Sequence, residues 1–105
     1  MVPAFTIFPM QFLSLSRRRL DAFPPEAFTP ELLASEGRRV KELAGAGILR
    51  QIWLRDDLPG AAILWEASGE EEVRAAIATL PVFKAGMLEI VQFIPLKPYP
   101  GFAPA

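Results

Sequence analysis

The stretch ILRQIWLRDDLPGAAILWE, residues 48–66, decides the fold. Its two arms, residues 48–55 and 61–66, are rich in β-branched and aromatic side chains, which is typical of strands. Between them, residues 56–60 have the Asp, Pro and Gly composition of a turn. The stretch therefore predicts a β-hairpin near the middle of the chain.

A helix is predicted on each side of this hairpin. Thr29 and Pro30 form a typical helix start, because Thr caps the first turn and the missing amide hydrogen of Pro costs nothing there. This helix runs to about residue 44, before Gly45. A capping box at residues 68–71, pairing Ser with Glu, predicts the start of the second helix, and Pro81 is predicted to end it.

The outer segments complete the order β-α-β-β-α-β. Residues 10–16 and 87–94 are predicted strands, and residues 95–100 form a proline-rich tail. Prolines interrupt residues 1–9, which are predicted to be an N-terminal extension, so residues 10–105 form the single domain. Right-handed crossovers place both helices on one face of an antiparallel sheet, and the predicted fold class is α+β.

The other face of this sheet is predicted to need a cover. Two strands, residues 48–55 and 87–94, carry apolar side chains at both alternating sets of positions. In addition, 51% of the 105 residues are hydrophobic and the mean hydropathy is +0.27, more than a small monomer readily buries. We therefore expect a homodimer or higher homo-oligomer, with a cavity between helix, sheet and partner.

Charge and missing residue types exclude several functions. The 11 basic and 12 acidic residues nearly cancel, so nothing favours nucleic acid or an anionic membrane as partner. The sequence contains no Cys and no His, which excludes Ser-His and Cys-His catalysis and the usual transition-metal sites. No segment is long enough to span a membrane, and the arginines 17–19 follow the apolar start, opposite to a secretory signal. We expect a cytoplasmic protein acting on a small molecule.

Glu36 is the candidate catalytic residue. With 100° of rotation per residue, the apolar stripe of the first helix consists of Leu32, Leu33, Val40, Leu43 and Ala44, and Glu36 falls within it. An inward carboxylate is either desolvated, which raises its pKa, or paired with a cation. Either environment suits a general base or acid. The alternatives are that Glu36 reaches water at the edge of the stripe or forms a structural ion pair.

Three residues of the hairpin are candidates for substrate binding. Arg50 shares a strand face with Ile52, so it is predicted to point into the covered space. There it binds a substrate carboxylate, or it pairs with Glu36 or another acidic residue. Trp53 and Trp65 lie on the two arms and are either core or interface anchors or walls of a ligand pocket.

The order of these features is similar to that of a known family. Glu36 precedes Gly47, an Arg-x-x-Trp strand follows at residues 50–53, and Leu-Pro-x-Phe occupies residues 80–83. In these features the chain resembles the muconolactone isomerase family over residues 10–100. Gln51, a further substrate-binding candidate, stands where the family's isomerases tend to carry a histidine.

The resemblance implies a ferredoxin-like fold that forms dimeric α+β barrels and uses no cofactor. It also implies a double-bond shift in a small lactone by proton abstraction and return, for which Glu36 is a suitable base. In this hypothesis Arg50 fixes a substrate carboxylate and Trp53 lines the pocket. Two alternatives stay open: a cyclase or cofactor-free oxygenase of a biosynthetic pathway, and a non-enzymatic ligand-binding or assembly module in which Glu36 and Arg50 form a buried ion pair.

Overall fold

The computed structural model describes residues 9–102. Its elements, in chain order, are β1 (Met10–Arg18), α1 (Pro30–Gly45), β2 (Leu49–Leu54), β3 (Ala61–Ala67), α2 (Glu70–Ile77), α3 (Pro81–Lys84) and β4 (Leu88–Leu96), with a 3₁₀ turn at Pro25–Ala27 before α1. The predicted α+β class and the order of the strands and two main helices are confirmed.

The strands form one antiparallel sheet in the order β2-β3-β1-β4. The buried residues of β1 and β3 alternate with less buried ones, as expected when one face of the sheet is covered. Residues of α1 and α2 pack on that face around Trp65, and the core cluster they form is Phe12, Leu43, Leu49, Ile63, Trp65, Ala67, Val73, Ala76, Ile77 and Leu80. Both main helices therefore lie on the same side, as predicted.

The local signals that predicted the hairpin and the first helix are confirmed. Thr29 Oγ1 accepts a hydrogen bond from the Leu32 amide at 3.2 Å, which caps α1. Strand β2 pairs with β3, and the bidentate contact of Arg55 with Asp57, at 3.0 and 2.7 Å, braces the turn between them. Gly60 in this turn lies against β1 so closely that an added Cβ would stand 2.0 Å from the Ser16 carbonyl oxygen.

The predicted capping box of the second helix is wrong by one residue. Gly69 is the residue that precedes the first turn of α2, which places Glu72, not Glu71, at the third helical position. Glu72 Oε1 accepts hydrogen bonds from both the backbone N–H and the hydroxyl of Ser68, each at 2.9 Å. The start of α2 is therefore stabilised by Ser68 and Glu72 instead of the predicted pair, Ser68 and Glu71.

Two prolines differ from their predicted roles. Helix α2 ends at Ile77, and Pro81 begins the short helix α3, where a proline at the first position is favourable. Pro95 was assigned to the tail, but it continues β4 opposite Phe12. An edge strand tolerates a proline, because its outer N–H groups need no partner in the sheet.

The open face of the sheet, the face opposite the helices, is apolar as predicted. Its apolar side chains are Leu13, Leu15, Trp53, Leu64, Ile94 and Leu96, and Trp53 is 50% exposed. The predicted extension over residues 1–9 lies outside the described residues except for Pro9. Within residues 9–102, no helix is long and apolar enough to cross a membrane.

Candidate functional site

A cavity of about 110 Å³ lies between α1, α3 and the helix-covered face of the sheet. Its polar side chains are Ser16, Arg18 and Glu36, and the rest of its wall is mainly aliphatic, with residues from α1, β2, β3 and α3. Ile63 is buried at the base of this wall, whereas Leu54 on the edge strand β2 is 83% exposed. The cavity therefore opens to solvent beside β2.

Glu36 lies in the wall of this cavity. The 3.6-residue period of α1 turns it toward the sheet together with Leu33 and Val40, which also line the cavity. Its Oε1 accepts a hydrogen bond from the Val82 backbone N–H at 3.0 Å, so the first turn of α3 holds the carboxyl in place. Among residues 9–102, no hydrogen bond to the second carboxyl oxygen of Glu36 is formed.

Burial raises the pKa of Glu36 above its usual value, because the charged carboxylate loses hydration in the aliphatic wall. The Val82 hydrogen bond and the positive charge of Arg18 act in the opposite direction and lower the pKa, but they do not cancel the burial. A carboxylate with a raised pKa is a stronger base than one in water, and it holds an acquired proton closer to neutral pH.

This raised pKa predicts a pH-dependent stability. The folded state keeps the Glu36 proton over a pH range in which the unfolded state has released it. Binding this proton stabilises the folded state relative to the unfolded state. The stabilisation is complete below the unfolded-state pKa and is lost as pH rises through the folded-state pKa. We expect the free energy of unfolding of the unmodified protein to fall relative to that of Glu36→Gln across this range. Urea unfolding at a series of pH values measures the difference, and a constant or rising difference would contradict the assignment.

Arg18 is the cavity cation that the sequence reasoning missed. The predicted strand over residues 10–16 ends before Arg18, so the sequence pattern assigned this side chain to neither face of the sheet. Strand β1 in fact continues to Arg18, which pairs with Leu88 of β4, and the alternation of the strand puts Arg18 on the same face as Ser16. Counting the alternation two residues further along the chain would have identified it.

Arg50 does not lie where the sequence predicted. A bulge in β2 between Leu49 and Gln51 breaks the alternation, and Arg50 is exposed at this irregularity and outside the cavity wall. Among the described residues, no ion pair joins Arg50 to Glu36. The alternative of a buried ion pair between Glu36 and Arg50 is therefore not observed, and the hydrogen-bond partner of Glu36 is the Val82 backbone N–H.

The structure also separates the other hairpin candidates from the cavity. Gln51 pairs with Leu64 and Trp53 with Ala62, which places both on the open face of the sheet. Trp65 is 0% exposed in the core, where its Nε1 donates to Ser14 Oγ at 2.9 Å. Of the alternatives for the two tryptophans, Trp65 is a core anchor, and Trp53 is available to an interface.

The cavity combines few functional groups. It has one half-buried carboxyl of raised pKa, one guanidinium, the hydroxyl of Ser16 and an aliphatic wall. Such a set can move a proton to or from a ligand and attract negative charge. In the part of the chain that the structure describes, no three His, Cys, Asp or Glu side chains cluster as metal ligands would.

Comparisons with known proteins agree with the fold. The model of the family described as muconolactone delta-isomerase matches residues 10–101. A similar solved structure is the 5-chloro-2-hydroxyhydroquinone dehydrochlorinase of Burkholderia phenoliruptrix AC1100 in complex with 2,5-dihydroxybenzoquinone, with a TM-score of 0.60 and 19% identity over 88% of this chain and 96% of that chain. No curated protein sequence matches. At this identity the structural likeness shows a shared fold.

Proposed function

The chain belongs to the muconolactone delta-isomerase family, a family of small-molecule-processing enzymes, and we propose that it moves a proton and a double bond in a small lactone or organic acid. The observation that carries this proposal is the Glu36 carboxyl, fixed by the Val82 N–H in the wall of the cavity and raised in pKa by burial. The reaction needs one group that takes a proton and later returns it, and Glu36 provides such a group.

The proton balance of the reaction is simple. In an unsaturated five-membered lactone, the ring C–H at the γ carbon is acidified by conjugation with the carbonyl. Glu36 removes this proton, the electron pair moves into a dienolate, and the same proton is returned to the carbon next to the carbonyl. One C–H bond breaks, another forms and the double bond shifts, so no cofactor enters the balance.

The alternative enzyme functions are less well supported. A cyclase or cofactor-free oxygenase acting on a larger aromatic substrate is expected to have an aromatic wall, whereas the residues that line this cavity are mainly aliphatic. The non-enzymatic alternative depended on a buried ion pair between Glu36 and Arg50, which the structure does not form. The proton-transfer function remains the best supported.

Incubation with muconolactone tests the proposal. The double-bond shift removes one ring vinyl proton signal and creates a new CH₂ signal, so proton NMR follows the substrate and the product directly. We expect conversion that is proportional to protein concentration and absent from heat-unfolded samples. A lack of conversion of muconolactone would rule out this substrate.

A homodimer that closes over the open face is part of the proposal. Trp53 lies half exposed on this face beside the aliphatic residues of β1, β3 and β4, and pairing two such faces removes apolar surface from water. We expect Trp53→Arg to convert a dimer into a monomer, because the charge cannot be buried without a partner. Light scattering with size-exclusion chromatography measures the mass.

The control for this variant is Leu58→Arg, the same kind of change at an exposed position of the hairpin turn. It should leave the dimer intact. A monomeric unmodified protein, or a Trp53→Arg variant that remains dimeric, would contradict pairing through the open face.

A further inference from the structure

Three consecutive arginines end β1, and their side chains have different surroundings. Arg17 forms ion pairs with Asp21 and Glu89, and Arg19 donates to the Gly86 carbonyl oxygen at 3.2 Å. Neither residue lines the cavity that contains Glu36. Arg18 does, and among the described residues it has no carboxylate within ion-pair distance.

An aromatic ring holds the Arg18 guanidinium. Its Cζ stands 4.8 Å from the centroid of the Phe28 ring. Phe28 is buried, and it follows the 3₁₀ turn Pro25–Ala27 in the loop between β1 and α1. A guanidinium over a ring face is attracted by the ring electrons yet keeps its N–H groups at the edge of the stack free to donate. The loop thus orients the arginine before any ligand enters.

We propose that Arg18 is the anion-binding residue of the cavity: it takes a carboxylate of the ligand, and the ligand's acidic C–H then lies toward Glu36. This inference rests on the function proposed above and gives the site a specificity for small monocarboxylates. The planar fork of a guanidinium matches a carboxylate through two parallel hydrogen bonds. The role that the sequence reasoning gave to Arg50 thereby belongs to a residue of another strand.

Binding of the anion also changes the base. The positive charge of Arg18 lowers the pKa of Glu36 in the free protein, although burial outweighs it. A bound carboxylate neutralises Arg18 and excludes water, so this lowering is lost in the complex and the Glu36 pKa rises further. A ligand with the correct charge therefore makes Glu36 a stronger base, which couples recognition to proton transfer.

The test compares two ligands that differ in charge. Muconolactone carries a carboxylate, and its methyl ester has the same ring without the charge. We measure both affinities by calorimetry in the full chain carrying Glu36→Gln, so that the ligand is not consumed. Adding Arg18→Met should weaken muconolactone binding by on the order of 10- to 100-fold and change ester binding by less than about 2-fold.

Two further variants serve as controls. Arg19→Met removes a neighbouring arginine outside the cavity, and it should leave both affinities within about 2-fold. Arg18→Lys keeps the charge but loses the fork, so it should bind muconolactone with intermediate affinity. If Arg18→Met loses its thermal unfolding transition, the comparison of Arg18→Lys with the unmodified residue decides the question.

The outcomes separate the two proposals. Three results would overturn the anion site. They are an equal loss of acid and ester binding in Arg18→Met, an effect of Arg19→Met as large as that of Arg18→Met, and no preference of the protein with Arg18 for the acid. Absence of measurable muconolactone binding would overturn it as well. If charge-selective binding depends on Arg18 but the protein with Glu36 does not convert the lactone, the anion site stands and the proposed isomerase function fails.

Discussion

Replacing Glu36 with Gln lowers kcat/KM for muconolactone by about 10²- to 10⁴-fold, the usual contribution of a general base. An amide cannot take a proton from carbon at neutral pH. Its carbonyl oxygen can still accept the hydrogen bond that the Val82 N–H donates to Glu36 Oε1, so the start of α3 keeps its partner. We therefore expect the variant to remain folded. Initial rates by proton NMR and urea unfolding measure the two quantities.

The matched control is Glu31→Gln. Glu31 lies exposed in the first turn of α1 and loses the same charge without touching the cavity. It should retain the rate of the unmodified protein. Activity of Glu36→Gln near the unmodified level would rule out Glu36 as the base, and loss of the folded state would show that the carboxyl is structural.

Replacing Trp65 with Ala lowers the free energy of unfolding by about 3–5 kcal/mol, as expected when a large aromatic side chain is removed from a core. Trp65 is completely buried within the core cluster between the sheet and helices. Trp65→Phe keeps most of the apolar ring but removes the donor to Ser14 Oγ, which leaves a buried hydroxyl unpaired at a cost of about 1–3 kcal/mol. Urea unfolding measures both.

Tyr99→Ala is the control for Trp65, because Tyr99 is an exposed aromatic residue of the tail. It should change the free energy of unfolding by less than about 0.5 kcal/mol. If Trp65 acted as a pocket wall instead of a core anchor, Trp65→Phe would weaken lactone binding and leave stability unchanged.

Local sequence signals predicted the parts of the fold that depend on neighbouring residues. The turn composition of residues 56–60 fixed the hairpin, and the Thr29-Pro30 start fixed α1, because turns and caps are satisfied within a few residues. The helical period turned Glu36 inward for the same reason. The partner of Glu36, the Val82 amide, lies 46 residues away and has no local signal.

Strand alternation was less reliable, because it depends on an unbroken register. One extra residue at Arg50 in β2 removed that side chain from the face on which simple alternation placed it. A strand two residues longer than predicted brought Arg18 into the cavity. Neither the bulge in β2 nor the greater length of β1 changes the composition of its segment. The sequence therefore predicted a cation near Glu36 but assigned it to the wrong strand.

A titration of the Glu36 carboxyl by carbon NMR tests most directly whether Glu36 is a buried base of the cavity. It is carried out in protein with and without the methyl ester of saturated muconolactone, which has no double bond to shift and is not consumed. We expect a midpoint above the ordinary glutamate value in the free protein, together with a shift of the Glu36 carboxyl signal when the ester enters the cavity. A midpoint at or below the ordinary value, with a signal that does not respond to the ester, would contradict this expectation.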